Sequence, residues 1–275
     1  MKTIAGLFLV LFGLLVATGF CGEAKSSLDV QGIVARSNHA ALYQGADMRG
    51  AVTMTITDKQ GRVRTRRFNM IRKNGDAKDQ AQKYFVCFLE PADVRRMVFM
   101  VHKHGPGAQD DDRWMYLPSL DLVKRIAASD KRTSFVGSDF LYEDISGRNI
   151  DEDIHELVGA TDRHYIVKNT PKNPRSVEFS HYVAHIDKET FLPMKLEYHR
   201  AGRVYRVAET LAVEKIPSGE AGQPTYATAV RSRVNDLDSG GSTEMVISRV
   251  RYNQKPSDDL FTERCLRRAP SEFLR

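Results

Sequence analysis

"MRGAVTMTITDKQGR", residues 48–62, is the stretch whose reading decides the fold. Met48, Val52, Met54 and Ile56 alternate with Arg49, Thr53, Thr55 and Thr57, the period of two that gives a strand one buried and one wet face. Asp58 to Gly61 then supplies the residue types that turn a chain back on itself. The returning stretch "RVRTRRFNMIRKNG", residues 62–75, keeps strand propensity but loses clean alternation at Arg66 and Arg67. That predicts a bulge or a change of face there.

Outward from this hairpin the same grammar repeats. Segments 84–89, 97–102, 113–117, 122–126, 165–168, 177–187, 194–199, 203–215, 226–236 and 243–252 read as strands, separated by Gly, Pro, Asn and Asp clusters. Repeated hairpins predict a mainly β protein built on one large antiparallel sheet, strongly curved or partly closed. Ahead of the strands, residues 27–43 read as a helix with Ser27 or Asp29 as its cap and Leu28, Ile33, Val34 and Leu42 as a narrow apolar stripe. Two shorter helices are predicted at 91–96 and 139–146, covering part of the sheet. Residues 23–275 contain no long Pro, Gly or Ser linker and no fixed-period repeat, so they read as a single domain.

The first 22 residues combine a lysine, an apolar run from Ile4 to Ala17 and small residues after it. This is the pattern of a secretory signal, and the run is shorter than the roughly 20 residues a membrane span needs. The expectation is export to a bacterial periplasm. Cys21 raises a lipid anchor, but the bulky Phe20 before it argues against one. Beyond the signal, Cys87 and Cys265 are read as a disulfide or as two separate buried thiols, the second being the simpler. A formal charge of +6 is spread without a basic block. It suggests no nucleic-acid partner, and at most transient contact with anionic headgroups by what is expected to be a monomer.

Few residue constellations invite chemistry. His102 and His104 share one side of a strand and are followed by Asp110, Asp111 and Asp112, but no third ligand has diagnostic spacing, and a solvated hairpin mouth explains them. "VGSDF" around Ser138 lacks the G-x-S-x-G elbow of a hydrolase. A helix start explains it, with Gly137 at positive φ, Ser138 as cap and Asp139 in the first turn. Glu143, Asp144 and Asp151 to Asp153 read as a solvated face beside a loop. The reading is therefore of no enzyme, no catalytic residue, no metal and no cofactor. What stands out is the apolar stock: Met54, Ile56, Phe68, Met70, Phe85, Phe99, Trp114, Tyr116, Phe135 and Phe140, with Met100 and Met115. Deformable and flat side chains of this kind suit acyl chains, although composition alone favours plain core.

"FLEPADVRRMVFMV" (88–101), "DDRWMYLPSLDLVKRI" (111–126) and "TSFVGSDFLYEDI" (133–145), followed at distance by "DLFTERCL" (259–266), resemble the signature run of the LolA-like outer-membrane lipoprotein-sorting family. The likeness is carried by residues 91–144. One departure is Arg96, where the resemblance leads one to expect Gly, and it puts the local turn in doubt. The resemblance implies an incomplete, half-open antiparallel β-barrel with a helical lid over an apolar cavity. Met54, Ile56, Phe68, Met70, Phe85, Phe99, Trp114, Tyr116, Phe135 and Phe140 would then be wall or lid. It further implies a periplasmic carrier or chaperone for lipid or acylated lipoprotein cargo, passed toward the outer membrane, with an inner-membrane exporter as a partner. Two other readings stand beside it: a structural or adaptor module with a filled core, and a hydrolase gathering Ser138 or a histidine with a base.

Overall fold

In the computed structural model, which describes residues 29–75, 79–105, 107, 110–219 and 224–273, the alternating stretch is a strand and the turn follows it. β1 (Asp47–Thr57) buries Val52, Met54 and Ile56 on one face and leaves the threonines half-buried. Asp58 holds the turn, its carboxylate accepting from the Gln60 and Arg62 N–H groups at 2.9 and 3.0 Å. The meander continues through β2 (Val63–Asn74), β3 (Gln82–Glu90), β4 (Val98–Lys103), β5 (Asp112–Leu117) and β6 (Leu122–Ile126). A second meander runs through β7 (Asp153–Ala160), β8 (His164–Pro171), β9 (His181–Asp187), β10 (Pro193–Arg200), β11 (Arg203–Pro217), β12 (Thr225–Asp236) and β13 (Gly241–Tyr252). Antiparallel pairing of β1 with β13 joins the two into one 13-stranded open sheet, with β6 and β7 as its edges. The expected bulge is present: the β2 to β3 register shifts between Arg67 and Phe68.

Three local expectations are corrected. β7 was not among the expected strands, because it buries only its first residue and so carries no alternation to read. Segment 177–187 is strand only from His181; before it, Phe179 leaves the ladder to pack with Tyr198 and Tyr205. Segment 91–96 is a tight turn, with Val94 N–H on the Pro91 carbonyl at 3.2 Å and Arg96 at φ 67°. Arg96 thus holds the left-handed conformation that glycine adopts most cheaply, and the turn survives the departure.

Three α-helices complete the described fold: α1 (Val30–Asn38), α2 (Tyr142–Ser146) and α3 (Glu263–Arg267). The Asp29 carboxylate caps α1 by accepting from Gly32 N–H at 2.8 Å, and the chain continues as a wider helical turn through His39–Tyr43. Ser27, Leu28, the signal-like segment 1–22 and Cys21 lie outside the described residues. Ser138 does not cap α2. Its hydroxyl donates to the Phe135 carbonyl at 2.7 Å, and the Asp144 carboxylate instead accepts from Leu141 N–H at 2.7 Å.

The sheet has two apolar faces over β2 to β5, not one. On the concave side Phe68, Tyr84, Val86, Phe88 and Phe99 belong to the main core. On the convex side Ile71, Phe85, Cys87, Val98 and Met100 lie under Leu260, Phe261, Cys265, Leu266 and Phe273 of the C-terminal segment. Cys87 and Cys265 are buried free thiols within this second cluster. Among the described residues, no helix is long and apolar enough to cross a membrane.

Candidate functional site

Topology dictates a lid. The edges β6 and β7 are consecutive in sequence yet lie at opposite ends of the open sheet, so residues 127–152 must pass from one edge to the other. At the turn in this segment Val136 and Gly137 take φ of 51° and 74°, and an isolated bridge pairs Ser134 with Leu141. Phe135 and Phe140 project from the two arms of this turn into the concave side. Phe135 is fully buried among Phe68, Phe88, Phe99 and Tyr142, with ring centroids 5.4–6.3 Å away, and it fills the half of the curve beneath β2 to β5.

The other half is not filled. Beneath α1 and the lid lie two adjoining cavities of about 240 and 290 Å³ that share Ala41, Leu42, Phe140, Asp144 and Pro193 as a waist. The first is walled by Phe68, Met70, Ile145, Leu192, Met245 and Ile247, with Arg72, Tyr84 and Tyr252 toward one end. The second is walled by Val34, Ile150, Ile186, Leu196, Tyr198 and Val234. Together they fall in the size range of small-molecule sites, roughly 300–1,000 Å³, and most of their lining is apolar. A larger groove of about 680 Å³ near His39, Lys73, Asp79 and Lys255 is more open to solvent and carries as much polar as apolar lining, so it suits hydrocarbon less well than the two cavities under the lid.

The lid is fastened by polar contacts on three sides. Thr243, on β13 and wholly buried, donates its hydroxyl to the Asp139 carboxylate at 2.6 Å and accepts from Asp139 N–H at 3.0 Å. Arg206 on β11 pairs with Asp144 and donates to the Asp139 carbonyl at 3.2 Å. Arg132 lies over the Phe179 ring at 4.7 Å and reaches Glu178 at 2.7 Å and Glu143 at 2.5 Å. Glu143 and Asp144, expected on a solvated face, are therefore inside it. Glu143 is 2% exposed and also pairs with Lys131 at 3.3 Å and Arg148 at 3.4 Å. Burial alone would raise its pKa, but the charges of Arg132, Arg148 and Lys131 hold it below the usual carboxylate range. At the lid's far end Lys103 donates to the Ser146 and Gly147 carbonyls at 2.9 and 3.1 Å, and burial pushes this ammonium down to about 8. Gly147, at φ 75°, packs so closely on Leu42 that a Cβ would lie 2.3 Å from its Cδ1.

The expected wall residues divide into three sets. Phe68, Met70 and Phe140 line the cavities. Met54, Ile56, Phe99 and Phe135 belong to the packed concave core beside them. Phe85, Trp114 and Tyr116 do not face the cavity: they lie on the convex side with the C-terminal segment, because Phe85 is out of phase with Tyr84 and Val86, and Trp114 and Tyr116 with Met115. Leu42, Arg72, Ile145, Met245 and Ile247 were not anticipated as lining, although Met245 and Ile247 alternate on a strand that was. His102 Nε2 lies 3.0 Å from the Phe261 carbonyl and His104 Nε2 3.0 Å from Asp112, so the two rings are engaged separately. Among the described residues no group of three His, Cys, Asp or Glu could hold a metal.

A family model carrying the description of an uncharacterized protein matches residues 80–268. No curated protein matches the chain. Among solved structures, a DUF1329 family protein from Desulfovibrio piger is 29% identical over 85% of this chain and 96% of its own, with a TM-score of 0.76. A domain from Vibrio parahaemolyticus named for outer membrane lipoprotein sorting is 24% identical over 86% and 96%, with a TM-score of 0.73. A LolA superfamily protein from Nitrosomonas europaea is 19% identical over 86% and 99%, with a TM-score of 0.63. The half-open sheet, the lid between its two edges and the match over most of the chain lead to one assignment: the chain belongs to the family of uncharacterized proteins that this model describes, and its fold is LolA-like.

Proposed function

We propose that this protein is a periplasmic carrier or chaperone that holds a lipid or the acyl chains of a lipoprotein in its cavity and passes them toward the outer membrane. The observation that carries the reading is the pair of apolar cavities under α1 and the lid, left open by a sheet that packs its other half solidly. Moving an acyl chain into water costs about 0.8 kcal/mol per CH₂, so a dry cavity removes most of the barrier to leaving a membrane. Release requires a lid that opens, so the polar fastenings and the packing of Phe135 must both give way at the cavity mouth. In this reading residues 1–22 are the export signal, 23–275 act as one domain, Phe68, Met70 and Phe140 touch cargo, and an inner-membrane exporter supplies it.

The test is direct. Protein purified without detergent is extracted with organic solvent, the extract is analysed by mass spectrometry, and the delipidated chain is titrated with Nile red. Co-purified lipid and saturable dye binding are expected; absence of both would overturn the carrier reading. It would favour an adaptor role instead, for which the exposed edge β7, with Ile154 and Val158 more than half exposed, would be the contact surface.

A further inference from the structure

The first cavity contains two charged side chains among the described residues, Arg72 and Asp144, and the fold provides for them differently. Asp144 is paired with Arg206 and accepts from the Leu141 N–H at 2.7 Å. Arg72 is more enclosed, 4% exposed, yet among the described residues no carboxylate lies within ion-pair distance of it. Its Nη1 donates to Asn74 Oδ1 and its Nη2 to the Gln44 carbonyl, both at 2.5 Å and both neutral. The acid that acts on it from a distance, Asp47, is already taken by the Gln254 and Lys255 N–H groups at 2.8 and 2.9 Å. The hydroxyls nearby are neutral: Tyr84 donates to Gln82 at 2.8 Å and Tyr252 lies 2.8 Å from Thr228 Oγ1.

A buried guanidinium cannot shed its proton, so a cation in a low-dielectric wall without a counter-ion is costly to the folded chain. Such a charge is retained where something else neutralises it. Its position says what. Phe68, Met70 and Arg72 follow one another on the concave face of β2, so the arginine lies about 13 Å along the strand from the phenylalanine. The cavity is therefore graded, greasy toward Phe68, Phe140 and Ile145, and cationic toward Arg72.

We infer that the cargo is an anionic amphiphile, its carboxylate or phosphate head on Arg72 and its chain over Met70 and Phe68. The inference rests on the carrier reading and deepens it. A guanidinium offers several N–H donors in one plane to an oxyanion, a neutral head would leave it unpaired, and a cationic head would be repelled.

The experiment displaces Nile red from the delipidated full-length mature chain with 12-carbon amphiphiles kept below their micelle concentrations. Dodecanoate and lauroyl lysophosphatidic acid are the anionic arms, monolaurin the neutral and dodecyltrimethylammonium the cationic. Either anionic arm is expected to act at least tenfold more tightly than monolaurin, and the stronger of the two tells a free fatty acid from a phospholipid head. Arg72→Met is expected to bring the anionic arms down to the level of monolaurin, and Arg72→Lys to keep part of the advantage. Equal affinity for anionic and neutral heads, or an advantage that persists in Arg72→Met, would overturn the inference and leave the carrier reading standing. No displacement by any amphiphile, with no dye bound, would bring down both. The head-group series on the unsubstituted chain decides the matter even if Arg72→Met fails to fold.

Discussion

Phe140 and Trp114 show how position on a strand or turn outweighs residue type. Both are large and apolar, yet Phe140 forms the waist between the two cavities while Trp114 lies against His102 on the convex side at a ring distance of 5.1 Å. Phe140→Asp is expected to abolish Nile red binding. Trp114→Ala should leave it intact and lower the unfolding free energy by about 1–3 kcal/mol, read from urea titrations. Arg96 carries a second lesson. At φ 67° it occupies backbone space that costs an L-residue about 1–2 kcal/mol, so Arg96→Gly is expected to be tolerated and to raise stability by up to about 1 kcal/mol, and a large loss would show that the side chain matters more than the turn. Cys87 is governed by burial, which pushes its thiol up to about 11. It should resist iodoacetamide in the folded chain and react after denaturation, as peptide mass mapping would show.

At the scale of elements, the lid is a peptide crossing held by charges. Glu178 illustrates the electrostatics: burial acts to raise its pKa, but the hydrogen bonds and charge of Arg132 prevail and bring it from an ordinary 4.5 to about 2. A carboxylate depressed in the folded state gives its stabilisation in full above its unfolded pKa and loses it as the pH falls toward the folded one. The urea midpoint is therefore expected to be level above about pH 4.5 and to fall between there and about 2, with Glu178→Gln lowering the plateau and flattening the fall. An unaltered slope in that variant would remove Glu178 from the fastening. The opposite end of the lid depends on Gly147, where any Cβ would strike Leu42. Gly147→Ala should lift the lid from the helical turn after α1 and speed dye exchange measured by stopped flow, with dye affinity changed less than rate. Little of this was legible beforehand. Glu143 and Asp144 read as surface because their partners, Arg132, Arg148 and Arg206, come from a neighbouring turn, the lid's own far end and a strand in the other meander.

For the whole molecule, the decisive fact is that one sheet is asked to serve two faces. The C-terminal segment covers the convex side of β3 and β4, so these strands are buried on both sides and the chain there reads as an unbroken apolar run. Leu266, 1% exposed in that cover, is expected to cost about 2–5 kcal/mol when changed to Ala, with dye affinity per folded molecule unchanged. The antiparallel strands, their order of hairpins and the helix before them were determined by the sequence alone, because period, turn residues and caps are relations between near neighbours. β7 escaped because an exposed edge strand needs no apolar face to hold it. Which of the many apolar side chains border empty space, and that Arg72 stands among them without a counter-ion, only the tertiary structure decided. A strand buried on both faces carries no mark of which face is filled, and that depends on segments more than a hundred residues away.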